Sequence, residues 1–297
     1  LSQQEGGDVK KVAIMTDSVA SLPEEIAQEY DVKIIPFYIN MGSESYVETE
    51  IGKEQLYARL KERENLPTTS APSIGEFLEV FQELSTKAEA ILHISMTSAF
   101  SMAYGAALEA REMARGKFPQ TTIEVIDSRT VESSQLLIVL EAAKAVAQGK
   151  NIKEIVEQVN HMIPRMNQLS SRDTLFYLDK EGRIFEAKSW AEAESKHGFR
   201  AIVEIDASTG GVTKPIARAR TKKQIMQKLV DIAEERVGGK KLHAAIIHAN
   251  VPGQAEQLKE MVLSRFQCDE LYVSEVSPVA AVQNGEGLIE FGFYADD

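Results

Sequence analysis

Cysteine is almost absent from the chain, and basic residues are fewer than acidic ones. Cys268 is the single cysteine among 297 residues, which excludes an intrachain disulfide framework and a cysteine-rich metal site. A chain with so little cysteine is expected in a reducing cytoplasm. The 33 Lys and Arg residues against 45 Asp and Glu residues leave a net charge of −12. Because a nucleic-acid partner requires a basic face, we expect none, and an anionic ligand would have to be held by local donors.

The chain also lacks long apolar runs and several known catalytic motifs. No run reaches the length of a membrane span, and residues 1–10 are polar, without the apolar core of a signal peptide. We therefore expect a cytoplasmic protein with no integral membrane segment, and residues 1–10 as a terminal arm or an added remnant. There is no glycine-rich phosphate or dinucleotide motif and no G-x-S-x-G elbow. The five His residues do not have metal-ligand spacing, so we predict no metal, cofactor or catalytic residue.

What is present in the first half is an alternation of strands and helices. The apolar patterns predict strands at residues 12–15, 32–39, 90–94 and 122–126, and helices at residues 53–63, 74–84, 132–148 and 152–166. The polar stretches at residues 41–52 and 65–73 are predicted to be loops. Such alternation implies right-handed crossovers and a parallel sheet. We predict a three-layer α/β/α domain over residues 8–168.

The second half mixes hairpin and crossover connections. Strands are predicted at residues 175–178, 201–205, 212–217, 244–248, 270–276 and 288–294, with helices at residues 187–196, 222–236 and 254–265 and a loop at residues 283–287. The second and third of these strands are joined by a turn that is typical of a hairpin. We therefore predict a two-layer α/β domain over residues 169–297, with a mixed sheet covered by helices on one face.

The stretch from residue 91 to residue 115 carries the most informative pattern. A short apolar strand gives way to small polar residues, and a helical pattern follows. Ser101 lies where an N-cap belongs. A helix N-terminus offers unpaired N–H groups and a partial positive charge, so the hydroxyls and the helix start together predict a pocket for an anionic head group. The simpler alternative is that Ser101 only caps the helix and that the alanines only permit close packing.

Small polar residues also follow two other predicted strands, at residues 16–18 and 127–128. In parallel sheets, ligands bind beyond the carboxyl ends of the strands, so these groups indicate a site at one edge of the first half. One hypothesis is an enzyme that acts there on a small phosphorylated or acyl substrate, with Asp17, Ser98 and Asp127 as its polar groups.

Several ordered motifs resemble those of one protein family. Residues 16–18 and 22–23 read TDS and LP, residues 34–38 read IIPFY, residues 69–73 read TSAPS, residues 177–184 read YLDKEGRI, similar to YL-x-KGGRI, and residues 248–250 read HAN. In this order they resemble the DegV family, the bacterial fatty-acid-binding proteins that present acyl chains to a fatty-acid kinase. The resemblance implies two α/β domains with one fatty acid, such as palmitate, stearate or oleate, in a tunnel between them.

The resemblance also implies roles for particular residues, each carried over by position. Thr69 and Ser101 would hydrogen-bond the ligand carboxylate, and Ser98 is a nearby candidate. Arg183 would act at the edge of the head group. Gln283 stands where the family has its head-group histidine, and can donate a neutral hydrogen bond but cannot become cationic.

Two further departures from the family pattern bear on ligand choice. Met102 replaces the small glycine after the key serine, and Glu286 is expected to place a negative charge near the mouth. A further alternative is therefore a carrier of another anionic lipid, such as a lysophospholipid.

Overall fold

The computed structural model describes residues 10–63 and 65–296, so the predicted arm lies, apart from Lys10, outside the described residues. The strands are β1 (Lys10–Asp17), β2 (Lys33–Ile35), β3 (Tyr38–Met41), β4 (Glu44–Val47), β5 (Thr68–Ser70), β6 (Ala88–Ser95), β7 (Thr122–Asp127), β8 (Asn167–Ser171), β9 (Arg200–Glu204), β10 (Lys214–Ala219), β11 (Leu242–His248), β12 (Cys268–Glu275) and β13 (Ile289–Ala295).

The helices of the same residues follow in chain order. They are α1 (Glu24–Glu29), α2 (Lys53–Lys61), α3 (Ile74–Ser85), α4 (Ala103–Lys117), α5 (Glu132–Ala147), α6 (Ile152–Met162), α7 (Phe176–Lys180), α8 (Lys188–His197), α9 (Lys222–Val237), α10 (Pro252–Arg265) and α11 (Pro278–Asn284).

The first half is built on a parallel sheet in the order β2-β1-β6-β7. Helices α3 and α4 pack on β6 and β7, whereas α5 and α6 pack on β1 and β6. The predicted parallel sheet and its helical layers are confirmed. Because the connections between parallel strands cross over the sheet, the ends of β1, β6 and β7 meet at one edge.

The second half is a six-stranded mixed sheet in the order β10-β9-β8-β13-β11-β12. Only β11 and β12 pair in parallel within it. Helices α9 and α10 pack on this sheet, and α5 packs against β13 and β11 as well as against β1 of the first sheet. A helix held between two sheets must be apolar on nearly every side, which explains the long buried run of α5.

A third, antiparallel sheet in the order β4-β3-β5 was not predicted. The single strand predicted at residues 32–39 is wrong, because Pro36 separates β2 in the parallel sheet from β3 in this small sheet. Proline has no N–H to donate to a strand ladder. The predicted loops at residues 41–52 and 65–73 contain β4 and β5, whose three or four residues are too few to show a strand pattern.

In the second half, two predicted elements are wrong and one strand is not predicted. Residues 175–178 lie at the start of α7 rather than in a strand, since an apolar run of this length fits a buried helix equally well. The polar strand β8 was not predicted at all. Gln283 is in α11, not in a loop; Pro278 opens this helix and Ser277 accepts the Ala280 N–H at 3.2 Å.

Candidate functional site

Thr69 lies in the middle of β5, where it pairs with Ile39 of β3. Its hydroxyl donates to Oε2 of Glu181, 3.4 Å away and 112 residues later in the chain. The small sheet therefore holds Thr69 against the turn that follows α7. This contact is long for an O–H···O bond, so the hydroxyl is restrained but not tightly held.

Arg183 follows that turn, in which Gly182 has a positive φ of 72°. Its Nε donates to the carbonyl oxygen of Phe100 at 3.1 Å, and its Nη1 lies 3.6 Å from Oε2 of Glu181 and donates to the Glu181 carbonyl oxygen. The Phe100 and Phe185 rings stack with centroids 5.6 Å apart. Arg183 thus links the second half to the residue directly before Ser101.

Ser101 does not occupy the N-cap position that the sequence predicted. Helix α4 begins at Ala103, and Met102 takes the cap position without a side-chain bond. Ser101 Oγ nevertheless accepts the Ala103 N–H at 3.1 Å. This contact uses the oxygen as an acceptor, so the hydroxyl proton is still available to a ligand.

Ser98 has a different set of contacts. Its hydroxyl donates to Oδ2 of Asp127 at 2.6 Å, and its N–H donates to Oδ1 of the same carboxylate at 3.2 Å. Asp127 also accepts the Arg129 N–H at 2.9 Å. A hydroxyl has a single proton, and that of Ser98 is used to join the loop after β6 to the end of β7.

Gln283 is buried on α11, with 4% of the residue exposed. This helix packs against α7 and against β3 and β5 of the small sheet, which places it beside the strand that carries Thr69. Within residues 10–63 and 65–296, the Gln283 side chain makes no hydrogen bond with another residue. Its amide donors are therefore unused within the described part of the chain.

Asp17, at the end of β1, is completely buried and fully occupied by its own chain. Its Oδ1 accepts from the Val19 N–H and the Gln135 amide, each at 3.2 Å, and its Oδ2 accepts from the Met96 N–H at 2.8 Å. Burial raises the pKa of Asp17 to about 6, although these donors oppose the shift. This carboxylate organises the loops at the sheet edge.

Glu181 is a residue of this region that the sequence interpretation missed. Its carboxylate lies between the Thr69 hydroxyl and the Arg183 guanidinium, and 10% of its side chain is exposed. Burial raises the pKa of the Glu181 carboxyl, while Arg183 and Thr69 lower it in part. The sequence contains one signal for this residue, because Glu181 occupies the position of the first glycine in the motif YL-x-KGGRI.

The two other departures from the family pattern differ in their surroundings. Met102 is 80% exposed, next to Ser101. The Glu286 carboxylate accepts from the Asn250 amide at 2.7 Å and pairs with Lys61 at 2.8 Å. The expected negative charge of Glu286 is therefore compensated by a neighbouring cation.

Two searches of the described residues bear on metals and membranes. Among them, no three His, Cys, Asp or Glu side chains come together in a way that could hold a metal ion. No helix in the described ranges is both long enough and apolar enough to cross a bilayer.

Sequence comparisons agree with the motifs. The model of a family described as "Uncharacterised protein, DegV family" matches residues 11–296. A DegV domain-containing protein of Halalkalibacterium halodurans is 32% identical over 291 residues, which cover 96% of this chain and 99% of that protein. One from Caldanaerobacter subterraneus is 33% identical over 224 residues, covering 75% of this chain and 76% of its own.

Three solved structures with the same fold are described as fatty-acid-binding or fatty-acid-loaded proteins. A DegV family protein from Thermus thermophilus, described by its fatty acid binding, has a TM-score of 0.88 at 22% identity and covers 96% of this chain and 100% of its own. A DegV family protein from Eubacterium eligens loaded with heptadecanoic acid has a TM-score of 0.86 at 20% identity, with coverage of 96% and 100%. A stearic acid-binding protein from Eubacterium ventriosum has a TM-score of 0.86 at 19% identity, covering 96% and 98%.

Proposed function

Because the chain belongs to the DegV family, we propose that it binds a long-chain fatty acid between its two halves. The carboxylate is held by the hydroxyls of Thr69 and Ser101. The observation that carries this proposal is the junction itself: Thr69 and Arg183 both contact Glu181, and Arg183 also contacts Phe100, the neighbour of Ser101. Solved relatives named for bound fatty acids support the same ligand class.

The chemistry of a buried carboxylate explains why hydroxyls are needed here. A carboxylate that leaves water without hydrogen-bond partners is strongly destabilised. The Ser101 hydroxyl can donate a hydrogen bond to the ligand carboxylate, and Gln283 adds an amide N–H. The Thr69 hydroxyl already makes a long contact of 3.4 Å with Glu181 and would share its proton with the ligand. Arg183 contributes positive charge at the edge of the head group, and Ser98 keeps the loop that carries Ser101 in place through Asp127.

The acyl tail supplies most of the binding free energy. Burying ~16 carbons stabilises the complex by on the order of 10 kcal/mol, at about 0.8 kcal/mol per CH₂ group. Association and ordering of the tail cost several kcal/mol. A separate apolar cluster includes Ile184, the neighbour of Arg183, together with Leu178 and Phe199. The tail runs along this cluster, in the tunnel that the family resemblance implies.

Calorimetric titration of the delipidated protein with oleate tests the proposal. We expect saturable binding of a single acid per chain. The double variant Thr69→Val, Ser101→Ala should bind much more weakly while unfolding at the same urea concentration as the unaltered protein. Absence of any binding heat in a folded, delipidated protein would contradict the proposal.

The finer part of the proposal is that the protein carries the acid to a fatty-acid kinase for phosphorylation, and does not itself catalyse the reaction. The support is family membership. The test is ATP consumption by a fatty-acid kinase mixed with the oleate-loaded protein, with the oleate-free protein as control. Equal ATP consumption in the two mixtures would count against a kinase partner.

The enzyme hypothesis for the strand ends has less support. Asp17 is buried and accepts three hydrogen bonds, and Asp127 accepts from Ser98 and Arg129. Both carboxylates thus have hydrogen bonds that hold the loops at the sheet edge, so a structural role accounts for both.

A further inference from the structure

Glu181 uses the same groups that the proposed function assigns to the ligand carboxylate. Its Oε2 lies 3.4 Å from Thr69 Oγ1 and 3.6 Å from Arg183 Nη1. We propose that Glu181 determines head-group specificity, selecting acyl ligands whose head group can donate a hydrogen bond over those with a permanent negative charge. This inference rests on the proposed function and adds the head-group chemistry that the site accepts.

The position of Glu181 is held from two sides. Its side chain is 10% exposed, and its own carbonyl oxygen accepts from Arg183 within the tight turn at Gly182. Thr213 Oγ1 donates to the Arg183 carbonyl at 2.6 Å, which attaches the turn to the loop before β10. The carboxylate is therefore held in place at the junction and is not a freely moving surface side chain.

The selectivity follows from which groups at this junction can donate a hydrogen bond. The Thr69 hydroxyl has one proton, and the charge of Arg183 already faces Glu181. A second fixed negative charge bound between Ser101 and Thr69 is repelled by Glu181, and such repulsion is stronger in a partly buried site than in water. An alcohol, or a fatty carboxylate that takes up one proton from water on binding and shares it with Glu181, can donate to the Glu181 carboxylate and accept from Ser101. A sulfonate cannot donate, because it remains ionised.

The experiment compares three ligands with the same chain, hexadecanol, palmitate and hexadecyl sulfonate, by displacement of a fluorescent fatty acid at mildly alkaline pH. Glu181→Gln keeps the shape of the side chain and removes its charge. We expect hexadecyl sulfonate to bind this variant about tenfold more tightly than the unaltered protein, the gain from removing one nearby like charge. Hexadecanol should gain nothing, since it donates to the carboxylate as well as to the amide oxygen.

Glu186→Gln is the matched control. Glu186 is exposed and three residues beyond Arg183, so this change alters the net charge equally without touching the junction. The sulfonate affinity should then stay as in the unaltered protein. Glu181→Gly, which restores the motif residue, provides a second variant that should favour the sulfonate in the same direction.

The outcomes separate this inference from the function it builds on. If palmitate binds and the sulfonate affinity is the same with and without Glu181→Gln, the specificity role is overturned and fatty-acid binding stands. An equal gain in Glu186→Gln would assign the effect to net charge and would also overturn it. If none of the ligands binds the unaltered, folded protein, the proposed function fails and this inference fails with it.

Discussion

Two groups of polar side chains in this protein look alike in sequence. They differ in whether their hydrogen-bond donors are already used within the chain. At the strand ends, Asp17 and Asp127 accept hydrogen bonds from backbone N–H groups, and Ser98 gives its proton to Asp127. At the junction of the two halves, Ser101 keeps its proton and Gln283 keeps its amide. The first group closes loops, whereas the donors of the second are not used within the residues that the structure describes, which is why we propose them as ligand contacts.

The comparison shows that the number of polar residues at a sheet edge is a poor guide to a binding site. A buried polar group that is already paired contributes to stability, and its loss leaves other groups unpaired. An unpaired donor contributes little to stability and is available to a ligand. Substitutions in the two groups should therefore change different quantities, stability in one and affinity in the other.

The largest effect is expected at Asp17. Asp17→Ala removes the acceptor of the Val19 and Met96 N–H groups in a completely buried position, so the free energy of unfolding should fall by about 3 kcal/mol or more. Urea unfolding measures this change in the free energy of unfolding.

Asp231→Ala is the control, because the Asp231 side chain is 47% exposed and its loss should change stability by less than about 0.5 kcal/mol. Equal effects of the two substitutions would show that Asp17 does not organise the sheet edge.

Ser101→Ala should weaken oleate binding by about 1–3 kcal/mol, the usual effect of losing a charge-assisted hydrogen bond. Ser98→Ala is the paired variant, and its effect on oleate affinity should be smaller because the Ser98 proton goes to Asp127. Calorimetry measures both. A larger loss in Ser98→Ala than in Ser101→Ala would reverse the assignment of the two serines.

Gln283→Leu should lower oleate affinity by about 0.5–1.5 kcal/mol, since it replaces a neutral hydrogen-bond donor with an apolar side chain of similar volume. Gln257→Leu, at an exposed position of α10, should leave affinity unchanged. If Gln283→Leu binds oleate as tightly as the unaltered protein, the amide does not face the head group.

The pH dependence of stability should single out Asp17. Its folded-state pKa of about 6 lies above the ordinary value of 3.8, so the folded state takes up the proton first as pH falls. Protonation of Asp17 therefore stabilises the folded state at low pH, and this stabilisation is lost as pH rises through about 6.

Relative to Asp17→Asn, the unaltered protein should therefore gain about 1 kcal/mol between pH ~7 and pH ~5. The difference between the two unfolding free energies at each pH measures this gain. A difference that does not change with pH would mean that the Asp17 carboxyl is ionised throughout.

The fold was predictable where long apolar patterns determine the elements. β6 and the helix α3 have clear apolar patterns, and the parallel sheet follows from the alternation of strands and helices in the first half. The small sheet was not predictable in this way, because β5 has three residues and pairs with β3 through contacts distant in sequence. Likewise β8, which reads NQLSS, is a strand because β13 and β9 pair with it on both sides.

The motifs indicated Thr69, Ser101 and Arg183 as ligand-binding residues, and that role stays a prediction. In the structure Thr69 and Arg183 both contact Glu181, and Arg183 contacts Phe100, the neighbour of Ser101. That Ser98 donates to Asp127, or that Glu181 lies against Thr69, depends on tertiary contacts that no local pattern reports. The same limitation explains why Ser101 was expected to be the N-cap, although the helix begins two residues later.

We propose that the junction holds an acyl chain, and native mass spectrometry of the purified protein, with the bound lipid extracted and weighed, decides whether it does. We predict a mass shift that matches an acid of palmitate to oleate size. A different lipid mass would move the ligand to another class, such as a lysophospholipid. No adduct, even after incubation with oleate, would contradict the account.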